Sequence, residues 1–560
     1  MLQINQVKLL PNYVEADIRK KIIDELGLKR ICKDMPAFSY KIVRRSIDAR
    51  KKPEVYYTFT FVVEFEDDKV EEHVLKKCRN KNLSKYNPVI YIPKTKISNN
   101  CKRRPVVIGE GPCGLFAGYI LAMAGYKPII IERGDKVDKR VEKVDDFWST
   151  GSVDENTNVQ FGEGGAGTFS DGKLNTLVKD KTGKNQFVLN TFVKYGANEE
   201  ISYDAKPHVG TDVLRGVVKN LRDEIISLGG DVINLCRLTD IVIENNFIKA
   251  ITVDNYSGED IIINADLLSE ETINISSGVN IIGVDDVILA IGHSSRDTFN
   301  KLYSLGVNIE QKNFALGIRI QHPQNMIDNS QYGINHSDKL PPAVYKVTNH
   351  TSNNRDVFSF CMCPGGYVVN ASSVPGYTCV NGMSYSGRDS INANSALIVA
   401  VDRKDFGSDN PLAGMYLQEK LEKKAYEIGN GYIPVQLFSD FCDNKISTDF
   451  GEVKPAFKGE IRFANLREIF PKEVSEALIE SINKFGYTIE GFDSKDAILA
   501  AIESRTSSPI RITRDDTMQS NIKGLYPAGE GAGYAGGIMS AAMDGIRVAE
   551  AIIQKYDKIV

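Results

Sequence analysis

Between Val55 and Phe65 every second residue is apolar, so that Tyr57, Phe59, Phe61, Val63 and Phe65 share one face of an extended chain. That period of two marks a half-buried strand. The segment before it, EADIRKKIIDEL, and the segment after it, KVEEHVLKKC, space their apolar residues as helices do. The order predicts a small sheet-and-helix module over residues 1–88, followed by a Pro- and Lys-bearing connector at 89–104.

From residue 105 to about 230 short apolar runs alternate with helical stretches, the pattern of a parallel sheet with crossover helices. Residues 231–290 change to short Ile/Val runs broken by Asn, Asp and Gly, as in a β-meander. Within them, LLSEETINISSGVNIIG is longer than a simple meander needs and predicts an insertion. A Gly-, Asn- and Ser-rich stretch fills 305–504, and residues 505–560 return to strand, glycine loop and helix. One nucleotide-binding unit, 105–304 with 505–560, is therefore expected to be interrupted by a second domain. The order of the first module, helix–strand–helix around a sheet, fits a ferredoxin-like α+β unit.

The chemistry begins at residue 105. The strand Pro105–Ile108 runs into Gly109-Glu110-Gly111-Pro112-Cys113-Gly114, with Gly118 one turn on, and a second strand ends at Glu132, 18 residues after Gly114. Gly109 permits a tight turn, Gly111 lets backbone approach a pyrophosphate, and Gly114 lets helix and strand pack closely. Pro112 suits the first helical turn, where its missing N–H has no partner. The helix start offers free N–H groups to phosphate, and Glu132 is spaced to accept hydrogen bonds from a ribose diol. The series reads as a dinucleotide site without saying which dinucleotide.

Three further segments bear on that. VQFGEGGAGTFSDGKLNT (159–176) is a hydroxyl-studded glycine loop, DDVILAIGHSS (285–295) a buried strand ending near Gly292, and GLYPAGEGAGYAGGIMSAAMDGIRVAEAI (524–552) a strand, loop and closing helix. With the fingerprint, they resemble an FAD-binding fold of the glutathione-reductase type. The strings KPHVGTDVLR, CMCPGGYVVNAS, NGMSYSGRDSINANSA and ESRTSSPIRITRD extend the likeness over the whole chain. They resemble a bacterial family of FAD-dependent dehydrogenases of unassigned substrate, relatives of the HI0933-like flavoproteins.

The resemblance implies an α/β protein: a three-layer (ββα) FAD-binding domain, an inserted α+β substrate domain, and the N-terminal module. It places Gly109, Gly111, Gly114, Glu132 and Arg133 on the ADP half of FAD. Gly164, Gly165, Thr168, Ser170 and Lys173 fall near the flavin, with Gly292 at the strand end. Gly529, Glu530, Gly536, Gly537 and Ile538 form the C-terminal flavin contact. Many flavoproteins of this class carry Asp where Glu530 stands, so its reach to the ribityl hydroxyls is open. The implied activity is hydride transfer between non-covalent FAD and a small molecule. NAD(P)H is the candidate transient donor, since no second strand–GxGxxG–helix unit is present to hold it.

Other residues carry two readings each. His208, Tyr534 and Lys173 are the candidates for proton transfer. His208 also sits just before a helix for which Thr211 or Asp212 would serve as N-cap. Arg505 and Arg511, with Arg514, could take a substrate anion, because a planar guanidinium suits carboxylate or phosphate; surface pairing with Glu503, Asp515 and Asp516 is the alternative. Cys361 and Cys363, two apart, would point the same way on a strand. A disulfide that close is strained, and buried unreactive thiols are the favoured reading. Cys113 reads as helix packing. The basic run Lys41, Arg44, Arg45, Arg50, Lys51 and Lys52 reads as a solvated hairpin face.

Composition narrows the partners. The chain has 560 residues, 42% hydrophobic and 25% charged, with a net charge of -4. That balance argues against an obligatory nucleic-acid partner, so an RNA-associated flavoprotein, or an FAD protein without turnover, is an alternative and not the main reading. No apolar run reaches the ~18 residues of a membrane span, and the opening residues lack signal-peptide features, so a cytoplasmic address is expected. Nine scattered cysteines read as free thiols, and no metal site is expected. Oligomeric state and substrate identity are not encoded in any motif.

Overall fold

A computed structural model describes residues 1–98, 100–176, 178–264, 266–267 and 272–557. The first module runs strand Leu2–Leu9, helix Glu15–Leu26, strands Phe38–Lys51 and Glu54–Phe65, helix Asp68–Lys77 and strand Leu83–Lys85. Its sheet places the long hairpin beside the first strand and the last strand at the far edge, with every neighbour antiparallel. The alternating face of Glu54–Phe65 is buried throughout, and Phe59 stacks on Phe61 at 5.2 Å between centroids. Helix Glu15–Leu26 covers that face with Ile18, Ile22 and Leu26 and ends at Gly27, where φ is 66°. Glycine takes a left-handed C-terminal position without steric cost.

Residues 106–557 contain a five-stranded parallel sheet, in the order Leu525–Pro527, Val287–Leu289, Val106–Ile108, Ile129–Ile131 and Asp231–Ile233. Helices Pro112–Met123, Thr211–Ser227 and Ile538–Asp557 pack on one face. On the other face lies the antiparallel sheet of Cys236–Glu244, Phe247–Asn255 and Gly278–Gly283. The extra length noted in LLSEETINISSGVNIIG includes Thr272–Ile275, which pairs antiparallel with the preceding Ile261–Asn264; its residues 268–271 lie outside the described ones. A seven-stranded sheet, with Phe314–Pro323 between Asn392–Val401 and Ile498–Glu503 at its centre, builds the second domain.

These bodies are not beads on a string. The N-terminal sheet and one face of the seven-stranded sheet share a single apolar core. Trp148, the chain's one tryptophan, donates its indole N–H to the Asn370 carbonyl at 2.9 Å, tying helix Val137–Thr150 to strand Tyr367–Asn370. Glu422 is fully buried and accepts from Arg296 at 2.8 and 3.0 Å, from Arg505 at 2.9 and 3.0 Å, and from Ser504 at 2.5 Å.

Five residues of the basic run, Lys41, Arg44, Arg50, Lys51 and Lys52, are exposed as expected of a solvated face, and Arg45 alone departs from it. Arg45 donates to Asp204 at 2.7 and 2.9 Å and to Glu200 at 2.9 Å. Its backbone N–H and carbonyl pair with Tyr203 and Ala205, both at 2.8 Å. Arg45 is drawn inward because the opposing 199–205 turn supplies carboxylates that sequence spacing does not reveal. Arg45→Ala is expected to loosen this clasp by about 2 kcal/mol, the size of a charge-assisted pair that is only partly desolvated. Faster trypsin cleavage of the 89–104 connector, with its exposed Lys94 and Lys96, would report it.

Candidate functional site

The strand Val106–Ile108 stops at Gly109, whose φ is 99°. A Cβ there would come within 2.4 Å of the Ala290 carbonyl oxygen. Gly114 is more constrained still, since a Cβ would lie 1.8 Å from the Gly109 oxygen. Gly111 differs: it caps the helix that begins at Pro112, and its Cβ would meet only the Cα of Gly165, at 3.8 Å. The space beside it is a cleft of about 340 Å³.

Of the residues expected at a dinucleotide, Gly109, Gly111, Pro112, Glu132, Arg133, Gly165, Ser170, Lys173, Gly292, Glu530, Gly536, Gly537 and Ile538 line this cleft. Gly114, Gly164, Thr168 and Gly529 stand behind its wall. Gly164 and Thr168 belong to the turn of the glycine loop, and the Gly529 N–H is taken by Asp544 at 2.8 Å. Glu132 accepts from the backbone N–H groups of Glu110, Gly134 and Gly162 at 2.8–2.9 Å, so it ties the fingerprint to the glycine loop besides facing the cleft. Arg133 stacks on Phe161 at 4.1 Å, and its Nε is buried without a partner.

The glycine loop is wrapped around one cation. Arg140, fully buried, donates to the carbonyls of Asn158, Val159, Gly162, Glu163 and Gly165 at 2.7–3.2 Å. Glu110 and Glu163 are buried beside it, Glu163 paired with Arg222 at 2.9 Å. Burial, reinforced by Glu163 and Glu132, holds the Glu110 carboxyl well above the usual carboxylate range.

At the other end of the cleft a charged cluster surrounds the buried Asp171. It accepts from Ser384 at 2.5 Å, lies 3.2 Å from Lys173 Nζ and 3.4 Å from Arg388, and has His208 Nε2 at 3.8 Å. His208 also contacts Ser384 Oγ at 3.2 Å. Burial would raise the Asp171 carboxyl, but Lys173, Arg388 and His208 together bring it below its ordinary value. Burial pushes the His208 imidazole down to about 4, against the pull of Asp171. The helix after His208 starts at Thr211 behind Gly210 and has no side-chain cap. The expected Asp212 cap is absent because that carboxylate accepts from Ser386 N and Oγ, at 2.8 and 2.5 Å.

A second, larger cavity of about 1520 Å³ opens between the N-terminal module, the 198–213 segment and the second domain. It meets the first at Lys173, Asn175, Phe360 and Cys361, which line both. His208, Lys206 and Arg388 stand on its wall, as do Arg45, Arg50 and Lys52 of the hairpin. Tyr534 lines neither; Arg514 and Arg511 flank its ring at 3.7 and 5.1 Å. Among the three proton-transfer candidates, Lys173 and His208 therefore meet, joined by a β-bridge, and Tyr534 stays apart.

The arginines pair otherwise than expected. Arg505 reaches the cleft, but all three of its nitrogens are engaged, with Glu422, Ser294 and Ser373. Glu503 is held by the buried Arg319 at 2.7 Å, and Arg514 by Asp544 at 2.7 Å. Arg511 lines neither cavity and donates to the Gly533 carbonyl at 3.3 Å. Sequence spacing favoured near neighbours; strand register brought in partners from other segments.

One cleft residue escaped the motif reading. His293, next to Gly292, has its Nδ1 3.3 Å from Glu530 and a buried Nε2 without a partner; its place after AIG was the available signal. Cys361 corrects the expectation of a buried thiol. The strand Asp356–Cys363 is bulged between Phe360 and Cys363, Cys361 adopts φ 42°, and its side chain is only partly buried. The bulge breaks the alternation that would have turned both thiols the same way.

The buried histidines give the fold an acid limit. His208 and the fully buried His322 both sit at about 4 through desolvation, below the ~6.5 of an unfolded chain. The unfolded state binds the extra protons between those values, so stability is full above pH 6.5 and falls as pH drops toward 4. The loss per histidine is expected to be about 3 kcal/mol when complete. His208→Gln should remove about half of the combined loss in denaturant midpoints measured from pH 7.5 to 4.5.

Among the described residues no helix is long and apolar enough to cross a membrane, and no group of three or more His, Cys, Asp or Glu is placed to hold a metal ion. Residues 313–506 match the family described as FAD-dependent protein, C-terminal domain-like, and residues 1–64 match a domain of unknown function (DUF8436). An uncharacterized protein of Clostridium beijerinckii is 44% identical over 562 residues, spanning 99% of each chain. Among solved structures, the Bacillus halodurans glycerol-3-phosphate dehydrogenase complexed with FAD is 11% identical, covering 82% of this chain and 66% of its own, with a TM-score of 0.34. A flavoprotein/dehydrogenase from Cytophaga hutchinsonii is 12% identical, covering 81% and 78%, with a TM-score of 0.35.

Proposed function

Since the chain belongs to one family with its clostridial relative over 99% of its length, and residues 313–506 match the FAD-dependent protein, C-terminal domain-like family, we propose that it is an FAD-dependent oxidoreductase with the cofactor in the smaller cleft and a small-molecule substrate in the larger. One observation carries the reading: the fingerprint, the glycine loop and the C-terminal loop, more than 400 residues apart at the extremes, line one continuous cleft. The residues suit FAD. Gly111 leaves open space where a side chain would stand, the Pro112 helix start offers N–H groups to a pyrophosphate, and Arg133 and His293, each with a buried nitrogen that has no partner, belong to the lining.

In this reading Glu132 and Arg133 hold the ADP half, and Gly165, Ser170, Glu530, Gly536, Gly537 and Ile538 the flavin half. The parallel sheet, its helical face and its antiparallel cover form the three layers of a glutathione-reductase-type domain, and the β-α-β-β-α-β order of residues 1–88 makes the first module ferredoxin-like. Closer kinship to the HI0933-like flavoproteins belongs to the same reading. Bound FAD supplies hydride acceptance and donation. The chain's part is to orient and to handle protons: Lys173, beside Asp171 and bridged to His208, stands where the two cavities join. Substrate would approach through the larger cavity, since pockets favour domain junctions. Arg45, Arg50 and Lys52 of the hairpin line that cavity, and Arg45 is committed to carboxylates, so nothing favours RNA as partner.

The test is direct. Purified protein should be yellow and release about one FAD per chain on denaturation, and NADH or NADPH should bleach it anaerobically. A colourless protein that takes up no FAD would overturn the reading. FAD that no donor reduces would leave a binding protein without turnover.

A further inference from the structure

Cys361 stands where few cysteines do. It lines both cavities, together with Lys173, Asn175 and Phe360. Its left-handed φ of 42° costs a residue with a Cβ about 1–2 kcal/mol, and the strand bulge carries that cost. Buried Arg319 anchors the bulge, donating to the Cys361 carbonyl at 3.1 Å and approaching Cys363 Sγ at 3.7 Å. Lys173 lines the same junction from the glycine loop, and its Nζ, though 3.2 Å from Asp171, lacks a hydrogen bond of good geometry.

The surrounding charge has a sign. Facing this point are Asp171 and Lys173 of the loop, Arg388 of the 384–390 turn, His208 and Lys206 of the 206–210 segment, and the Arg319–Glu503 pair of the central strands. The Arg319–Glu503 pair cancels, and one carboxylate, Asp171, answers three cations. Crowding is felt at Lys206, whose ammonium is lowered by burial and then by Lys173 and Arg388. For Cys361 itself, the neighbouring Cys363 thiol, with Lys173 and Arg319, outweighs burial and lowers the thiol below its ordinary range. Cys363 moves the other way, up, chiefly through burial, and its thiol donates to the Cys361 carbonyl at 3.3 Å. Electropositive, partly exposed settings of this kind make reactive thiols.

We propose that Cys361 is a nucleophilic thiolate at the junction of the two cavities, and that it takes up a soft electrophile carried on an anionic molecule entering through the larger one. The sulfur lone pair forms the new S–C bond while the leaving group departs with the electrons of the broken bond, so no oxidant or reductant is needed. Its neighbourhood to a flavin rests on the proposed function; its reactivity does not.

Alkylation of the full-length, FAD-containing protein tests this with simple probes, iodoacetate and iodoacetamide, which differ in charge. Modification at Cys361 is followed by peptide mass spectrometry against Cys32, Cys78 and Cys442, the other cysteines that are not buried. From pH 6 to 8 the Cys361 rate should change less than about threefold, whereas ordinary thiols gain on the order of 50-fold as they ionise. The iodoacetate-to-iodoacetamide rate ratio should be about tenfold higher at Cys361 than at Cys442, because the cations concentrate the anionic reagent. Lys206→Gln should reduce that ratio while leaving the pH profile flat. The inference is overturned if Cys361 is unmodified, if its rate climbs with pH as at the other cysteines, or if both sites show the same charge preference. FAD content is read separately from the visible spectrum, so a protein without flavin would sink the proposed function and leave the thiol result to stand or fall alone.

Discussion

Glu422→Gln is expected to destabilise the protein by about 3–5 kcal/mol, the usual cost of removing one partner from a buried ion pair. Two guanidinium groups depend on that carboxylate. Arg296 reaches it from the helix Arg296–Ser304, and Arg505 from the chain's return to the nucleotide-binding unit. Glutamine keeps the shape but leaves Arg505 without its paired carboxylate and Arg296 with only Glu419, at 3.9 Å, in a site closed to water. Replacing a buried pair by well-packed apolar groups is often neutral, so Glu422→Gln combined with Arg505→Met should recover part of the loss. Burial raises the Glu422 carboxyl, but Arg296 and Arg505 outweigh it and hold it well below the carboxylate range. Its folded value is thus depressed, and its contribution is present above the unfolded value of ~4.3 and lost as pH falls below it. The variant should lack that acid-induced loss. Urea unfolding followed by Trp148 fluorescence is the measurement, since that indole ties helix Val137–Thr150 to strand Tyr367–Asn370.

This triad was invisible in the sequence, and the reason is physical. Glu422 lies 126 residues from Arg296 and 83 from Arg505, and a glutamate in a helix such as Ala413–Gly429 reads as a solvated position. What could be read was local. The alternation in Glu54–Phe65 is enforced by strand geometry, the end of helix Glu15–Leu26 by the glycine that follows, and the fingerprint glycines by contacts within about twenty residues or one neighbouring strand. The cleft residues that motif reading caught sit in such glycine-dense loops. Those it missed depend on distant pairing: His293 on Glu530, the Arg505 partners on Glu422, Arg45 on the 199–205 turn. Cys361 was misjudged because a strand was assumed regular, and only the bulge against Asn392–Val401 turns it into the cavity.

The two inner glycines of the fingerprint should fail in different ways, which separates a ligand site from a folding constraint. Gly114→Ala puts a methyl 1.8 Å from the Gly109 oxygen, so helix Pro112–Met123 must shift away from the strand it packs on. Overpacking of this kind costs about 1–3 kcal/mol where neighbours can yield and more where backbone is the obstacle. Gly114→Ala should therefore lower the unfolding midpoint and the yield of folded protein, with flavin lost as a consequence. Gly111→Val meets no such obstacle, since the space beyond Gly111 is the cleft itself and the nearest atom to a Cβ is 3.8 Å away. Its φ of -75° is open to any residue, and so the variant should fold with the parent's circular dichroism and midpoint. The isopropyl group would instead occupy the place where a pyrophosphate approaches backbone, and FAD affinity should fall on the order of a hundredfold, about 3 kcal/mol. Flavin content after dialysis, measured beside the unfolding midpoint, distinguishes the two. If Gly111→Val retained FAD at the parent's affinity, the cleft beside that glycine could not be where the pyrophosphate lies.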